Sequence, residues 1–113
     1  MNRKYSLKKT KDIDRVFHLK KSVGSRYYAI YVGPGTTKLP QLAISISKRC
    51  GNAVVRNYEK RVVRELVRPY LEKLNHHHYL IIVKKSVIEL LFTEKKVQME
   101  KLLNKITTNK ENN

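Results

Sequence analysis

The stretch KRCGNAVVRNYEKRVVRELVR, Lys48 to Arg68, repeats small apolar residues at helical spacing while lying between two strand-like runs. Gly51 and Asn52 punctuate the chain before it and Pro69 interrupts it, so the pattern predicts one long helix. Leu42 to Ser47 and Tyr79 to Val83, on either side, read as strands, which makes the helix a crossover connection. At about 100° per residue, Val55, Tyr58, Val62 and Leu66 fall in one stripe, with Val54 and Val63 at its edges. That stripe is expected to face the core. The opposite side gathers Asn57, Lys60, Arg61, Arg64 and Arg68, with Arg56 at the margin. Glu65 reaches Arg61 at i−4 and Arg68 at i+3, so only a minority of these cations are compensated within the helix.

A polar helix face that merely meets solvent mixes both signs; this one is nearly all Lys and Arg. The bias runs through the 113-residue chain, where 25 Lys and Arg against 9 Asp and Glu leave a formal charge of +16. Such an excess repels itself unless a polyanion neutralises it, and nucleic acid is the polyanion that fits. A membrane surface would call for a strongly apolar helical face or a lipid anchor, and neither is evident. No apolar run reaches the length of a spanning helix, and MNRKYSLKK lacks the apolar centre of a signal peptide, so a cytoplasmic location is expected. Cys50 is the single cysteine, which excludes an internal disulfide and a zinc site built on paired cysteines. It reads as a small buried side chain.

Along the chain, residues 1–9 form a basic arm that Leu7 anchors. Thr10 is the expected N-cap of a first helix, with Asp12 and Asp14 in its first turn and a short stripe of Ile13, Val16, Phe17 and Lys20. From Arg26, Tyr27, Ala29 and Tyr31 alternate with Tyr28, Ile30 and Val32, the enrichment of a strand. After the turn cluster at 33–38, Leu42, Ile44 and Ile46 alternate with Ala43, Ser45 and Ser47, and the two strands are expected to pair as an antiparallel hairpin. His76, His77 and His78 read as an exposed loop, because consecutive residues cannot all aim at one metal ion without a special turn. YLIIV suits a buried central strand. Residues 86–91 leave one helical turn open as a reading. Thr93 is the expected cap of a last helix with Met99, Leu102, Leu103 and Ile106 on its apolar stripe, and 107–113 reads as a frayed tail. No repeat or linker interrupts 1–113, which makes one α+β domain. For a parallel crossover the generic expectation is right-handed.

SISKRCGNAVVRNYEKRVVR, Ser45 to Arg64, resembles the signature of the protein subunit of bacterial ribonuclease P. One position departs clearly: the family's Arg-Asn-Arg triplet is Arg56-Asn57-Tyr58 here. The resemblance extends from Leu7-Lys8-Lys9 and the Phe17 helix, through Ser22-Val23 and Arg26, to YLIIVKK and the last helix. It implies an α-β-β-β-α-β-α sandwich whose long helix makes a left-handed crossover, against the generic rule. It also implies an accessory protein subunit of a ribonucleoprotein endoribonuclease. In that family an RNA subunit, with Mg²⁺ held mainly by RNA and substrate rather than by a protein site, hydrolyses the phosphodiester joining the 5′ leader to tRNA. The implied partners are the ribonuclease P RNA and precursor tRNA, with no membrane and no protein homo-oligomer. Carried over residue by residue, Ile13, Phe17, Ala29, Tyr31, Lys60 and Arg64 match the leader-binding cleft, and Lys48, Arg49, Arg56, Asn57, Arg61 and Arg68 the side that meets the RNA subunit. No catalytic residue is implied in the protein.

Two other readings compete. A metal-dependent protein nuclease needs converging carboxylates, whereas the acids here are scattered and Asp12 and Asp14, at i and i+2, diverge. A ribosomal or general RNA-binding protein without a role in tRNA processing accounts for the charge equally well, since phosphate neutralisation is independent of sequence. The pairing of a basic helix with an aromatic cleft, and the signature itself, separate it from the leading reading.

Overall fold

The computed structural model describes residues 3–111, and the side chains of residues 3–107. In chain order the elements are α1 (Thr10–Leu19), β1 (Ser22–Gly24), β2 (Tyr28–Gly33), β3 (Gln41–Ile46), α2 (Ala53–Val67), β4 (His78–Val83) and α3 (Phe92–Glu111). Short 3-10 turns at Arg3–Tyr5, Lys48–Cys50, Arg68–Tyr70 and Lys85–Glu89 complete the order, the last in the stretch left open between strand and helix.

The strands form one sheet in the order β1-β2-β4-β3. β2 and β3 do not pair as a hairpin. β4 lies between them, antiparallel to β2 with Ile30 opposite Ile81, and parallel to β3 with Ile44 opposite Ile81. The reason lies in the β4 sequence: its residues are buried on both faces, so it takes the place where both backbone edges are paired. The unit β3–α2–β4 is therefore the parallel crossover that the long helix required. β1, antiparallel to β2 with Val23 opposite Ile30, is a three-residue strand with no alternation long enough to announce it. At the β3 edge, Ser6 forms a parallel bridge with Leu42, and the Leu7 N–H donates to the Leu42 carbonyl at 2.8 Å. The arm is thus pinned where Leu7 buries, and it covers part of an exposed strand edge.

Each face of the sheet carries its own layer. On one, α1 sets Val16 against Leu7, Ala43 and Leu80, with Ile13, Tyr31 and Ile82 packed around them. Gly33 permits the approach, since a Cβ there would stand 3.0 Å from Val16 Cγ2. On the other, α2 and α3 bury Val62, Val63, Leu66, Met99 and Leu102 against Tyr28, Ile30, Tyr79 and Ile81. Tyr27 precedes β2 and packs toward this larger core. The last helix reaches Glu111, into the stretch read as frayed; residues 1 and 2 of the arm and 112 and 113 of the tail lie outside the described residues.

Local details correct several expectations. Thr10 is the first residue of α1 rather than its cap; Lys9 holds that position without a side-chain bond. α3 begins at Phe92, and the Glu94 carboxylate, not Thr93, closes its start by accepting the Leu91 N–H at 2.8 Å. On α2 the buried stripe is rotated by one residue. Tyr58 and Val54 are exposed, while Glu59 takes the core position and Val63 and Val67 are fully enclosed. Glu59 is tolerated there because Lys95 of α3 donates to both its carboxylate oxygens, at 3.1 and 2.8 Å. His78 is not in an exposed loop: it starts β4 and is buried. Arg15 donates to its Nδ1 at 3.3 Å, which leaves the ring proton on Nε2, facing Thr36 Oγ1 at 3.4 Å.

Candidate nucleic-acid interface

Asn52 fixes the start of α2, accepting the Val55 N–H at 3.1 Å, and this sets the rotation at which the basic residues emerge. Arg56, Lys60 and Arg64 then descend at i, i+4 and i+8 along one flank, while Asn57, Arg61 and Arg68 lie about 60–100° further round, on the outer crest. The flank meets the β3 edge. There Lys60 and Arg64 join Arg3 and Lys8 of the arm around a groove of about 480 Å³ whose apolar lining is Leu7, Ile13, Leu42, Ala43 and Ile44. Among the described residues no carboxylate lines it. Four cations over an apolar floor can hold a phosphate chain while its bases rest on hydrocarbon.

The six expected cleft residues are therefore distributed. Ile13, Lys60 and Arg64 share the groove. Phe17, one turn further along α1, and Tyr31 of β2 form a separate aromatic step on the same side of the sheet, their ring centroids 5.1 Å apart and inclined at 41°. Ile13 of the groove and Tyr31 of the step both pack on the small cluster under α1. Phe17 is 43% exposed, a surface position rather than a core one. Ala29 is buried in β2 and does not line the groove. From sequence Arg3 and Lys8 belong to the basic arm but not to the expected cleft; the usable signal is Leu7, whose burial fixes where its charged neighbours lie.

Of the other expected set, Lys48 and Arg49 project from the 3-10 turn before α2, held by Ser47 Oγ accepting the Arg49 N–H at 3.2 Å. Both are exposed, as are Asn57, Arg61 and Arg68. Arg56 is half-buried, and its Nε has no hydrogen-bond partner among the described residues. Arg68 is compensated by Glu65 at 3.1 Å, whereas Lys48, Arg49, Arg56, Lys60, Arg61 and Arg64 make no ion pair among the described residues. Beneath them the Cys50 thiol is pushed up from its ordinary pKa, first by burial and then by Glu59, and its Sγ donates to the Lys84 carbonyl at 3.6 Å. It is a structural thiol, not a nucleophile.

The family model of ribonuclease P matches residues 1–107. The chain belongs to the ribonuclease P protein family. A ribonuclease P protein component of Acholeplasma laidlawii is 43% identical over 91 residues, 80% of this chain and 78% of the relative. One from Bacillus velezensis is 35% identical over 107 residues, 93% of this chain and 91% of the relative. Among solved structures, the Staphylococcus aureus ribonuclease P protein superimposes with a TM-score of 0.83 at 27% identity, covering 88% of this chain and 93% of that one. The α+β architecture is thus that of bacterial ribonuclease P proteins, with α2 as its basic helix.

Proposed function

We propose that this chain is the protein component of a bacterial ribonuclease P, binding the catalytic RNA through the crest of α2 and the 5′ leader of precursor tRNA in the groove. The observation that carries the reading is the division of cations on one helix: Lys60 and Arg64 line the groove, while Arg61 and Arg68 are exposed outside it. In this proposal Lys60, Arg64, Arg3 and Lys8 track leader phosphates, and Phe17 and Tyr31 offer a ring surface to a base, a contact that tolerates variable sequence. Lys48, Arg49, Arg56, Asn57, Arg61 and Arg68 contribute to holding the RNA subunit. The chain positions and neutralises; the RNA carries catalysis. Mg²⁺ would assist phosphodiester hydrolysis from sites on RNA and substrate. Among the described residues no three His, Cys, Asp or Glu side chains converge to hold a metal ion, so no step is assigned to a protein-bound one. No helix of the described residues is long and apolar enough to cross a membrane, and the proposed place of action is the cytoplasm.

The test adds the purified chain to a bacterial ribonuclease P RNA and follows cleavage of precursor tRNA at low Mg²⁺. Stimulation is expected. Its absence, where a known protein subunit stimulates, would favour the general RNA-binding reading, and cleavage without any RNA subunit would favour a protein nuclease.

A further inference from the structure

Tyr58 is 48% exposed on α2 beside the basic crest, and Val54, one turn before it, is 77% exposed. Val54, Tyr58 and Arg61 follow i, i+4 and i+7, so the ring sits beside the Arg61 guanidinium at the border between the basic crest and α3. An aromatic ring left in water there is not explained by the core. Its inner side is, however, well supported. The Lys95 ammonium lies 5.2 Å from the ring centroid, and that ammonium is itself fixed by its two hydrogen bonds to Glu59. A cation over a ring face holds the ring in place, and tyrosine has few rotors to immobilise when a ligand arrives.

We infer that Tyr58 is a base-stacking platform of the RNA interface: an unpaired base of the ribonuclease P RNA lies on the ring's open face while Asn57 and Arg61 hold the adjoining backbone. The inference rests on the function proposed above and gives one position of that surface a different chemistry. Where the family signature has an arginine, this chain carries a ring whose π-face any unpaired base can use. The two modes separate by salt. A phosphate contact releases counterions and steepens the dependence of affinity on ionic strength, whereas a stacked base leaves that slope alone.

The experiment measures affinity for a bacterial ribonuclease P RNA transcript across a KCl series, for the parent chain and for Tyr58→Phe, Tyr58→Leu, Tyr58→Ala and Arg61→Ala. Tyr58→Phe should bind within about twofold of the parent, and Tyr58→Ala should bind about 5- to 150-fold more weakly with an unchanged salt slope. Arg61→Ala should flatten the slope by about 0.7–0.9. Tyr58→Leu keeps an apolar cover over Lys95 without a ring. It should melt close to the parent yet bind as weakly as Tyr58→Ala. Parental affinity in Tyr58→Leu, or a flattened slope in Tyr58→Ala, would overturn the stacking role. A parent chain that binds this RNA no better than an unrelated transcript of equal length would overturn the proposed function, and the stacking role with it.

Discussion

Lys95 Nζ stands 2.8 Å from Glu59 Oε2, joining α3 to α2 through an ion pair whose two side chains are 5% and 3% exposed. Removing one partner strands the other charge in the core. Glu59→Ala or Lys95→Ala should therefore destabilise the chain by about 3–5 kcal/mol, read as a shift of the urea midpoint. The double replacement Glu59→Leu with Lys95→Met should recover most of that loss, since a packed apolar pair avoids the desolvation of both ions. A double variant no more stable than the singles would contradict this account.

The same pair marks the limit of what the sequence discloses. Val55, Val62 and Leu66 announce the helix and its buried side, and YLIIV announces a central strand, because hydrophobic period is a local property. The choice between residues 58 and 59 for the core is not local. Apolar scoring prefers Tyr58, and only Lys95, in phase with Met99, Leu102 and Ile106 on another helix, makes Glu59 admissible. The pairing of β2 and β3 fails for a related reason: they are neighbours along the chain, and the strand that separates them enters 37 residues after Gln41, at His78. Helical arithmetic places Lys60 and Arg64 on the polar side of α2 together with Arg61 and Arg68, but their groove depends on the Leu7–Leu42 bond, which no periodicity encodes.

His78 gives stability a pH dependence. Burial lowers its pKa from the ordinary 6.5; the Asp12 carboxylate opposes that and the Arg15 guanidinium adds to it. The folded state thus resists a proton that the unfolded chain accepts. The contribution is fully present above about pH 6.5 and is lost progressively as pH falls below it. Thermal midpoints of the parent minus those of His78→Gln, measured from pH 7.5 to 5, should decline with acidification. A difference that stays flat would place the His78 ring in an environment indifferent to charge.

Arg64 separates the two RNA partners of the proposed function. Arg64→Gln should weaken binding of precursor tRNA bearing a leader more than binding of mature tRNA, in the presence of the RNA subunit. Loss of one single-strand phosphate contact should also reduce the magnitude of the salt slope by about 0.7 for the leader-bearing substrate alone. Equal losses for both substrates would move Arg64 from the groove to the RNA-subunit surface.

Phe17 tests whether the aromatic step is a surface or a core. Its ring is 43% exposed and contacts Tyr31 at 5.1 Å, while Val16, its neighbour on α1, is the residue that buries. Truncating an exposed ring forfeits little packing, so Phe17→Ala should cost less than about 1 kcal/mol in stability. If a leader base stacks there, the same change should weaken leader-dependent substrate binding by about 1–3 kcal/mol. Fluorescence titration of labelled precursor tRNA, paired with urea denaturation of the free protein, reads the two quantities independently. A large loss of stability with leader affinity intact would assign Phe17 to the packing of α1 on the sheet, leaving Ile13, Lys60 and Arg64 as the leader contacts.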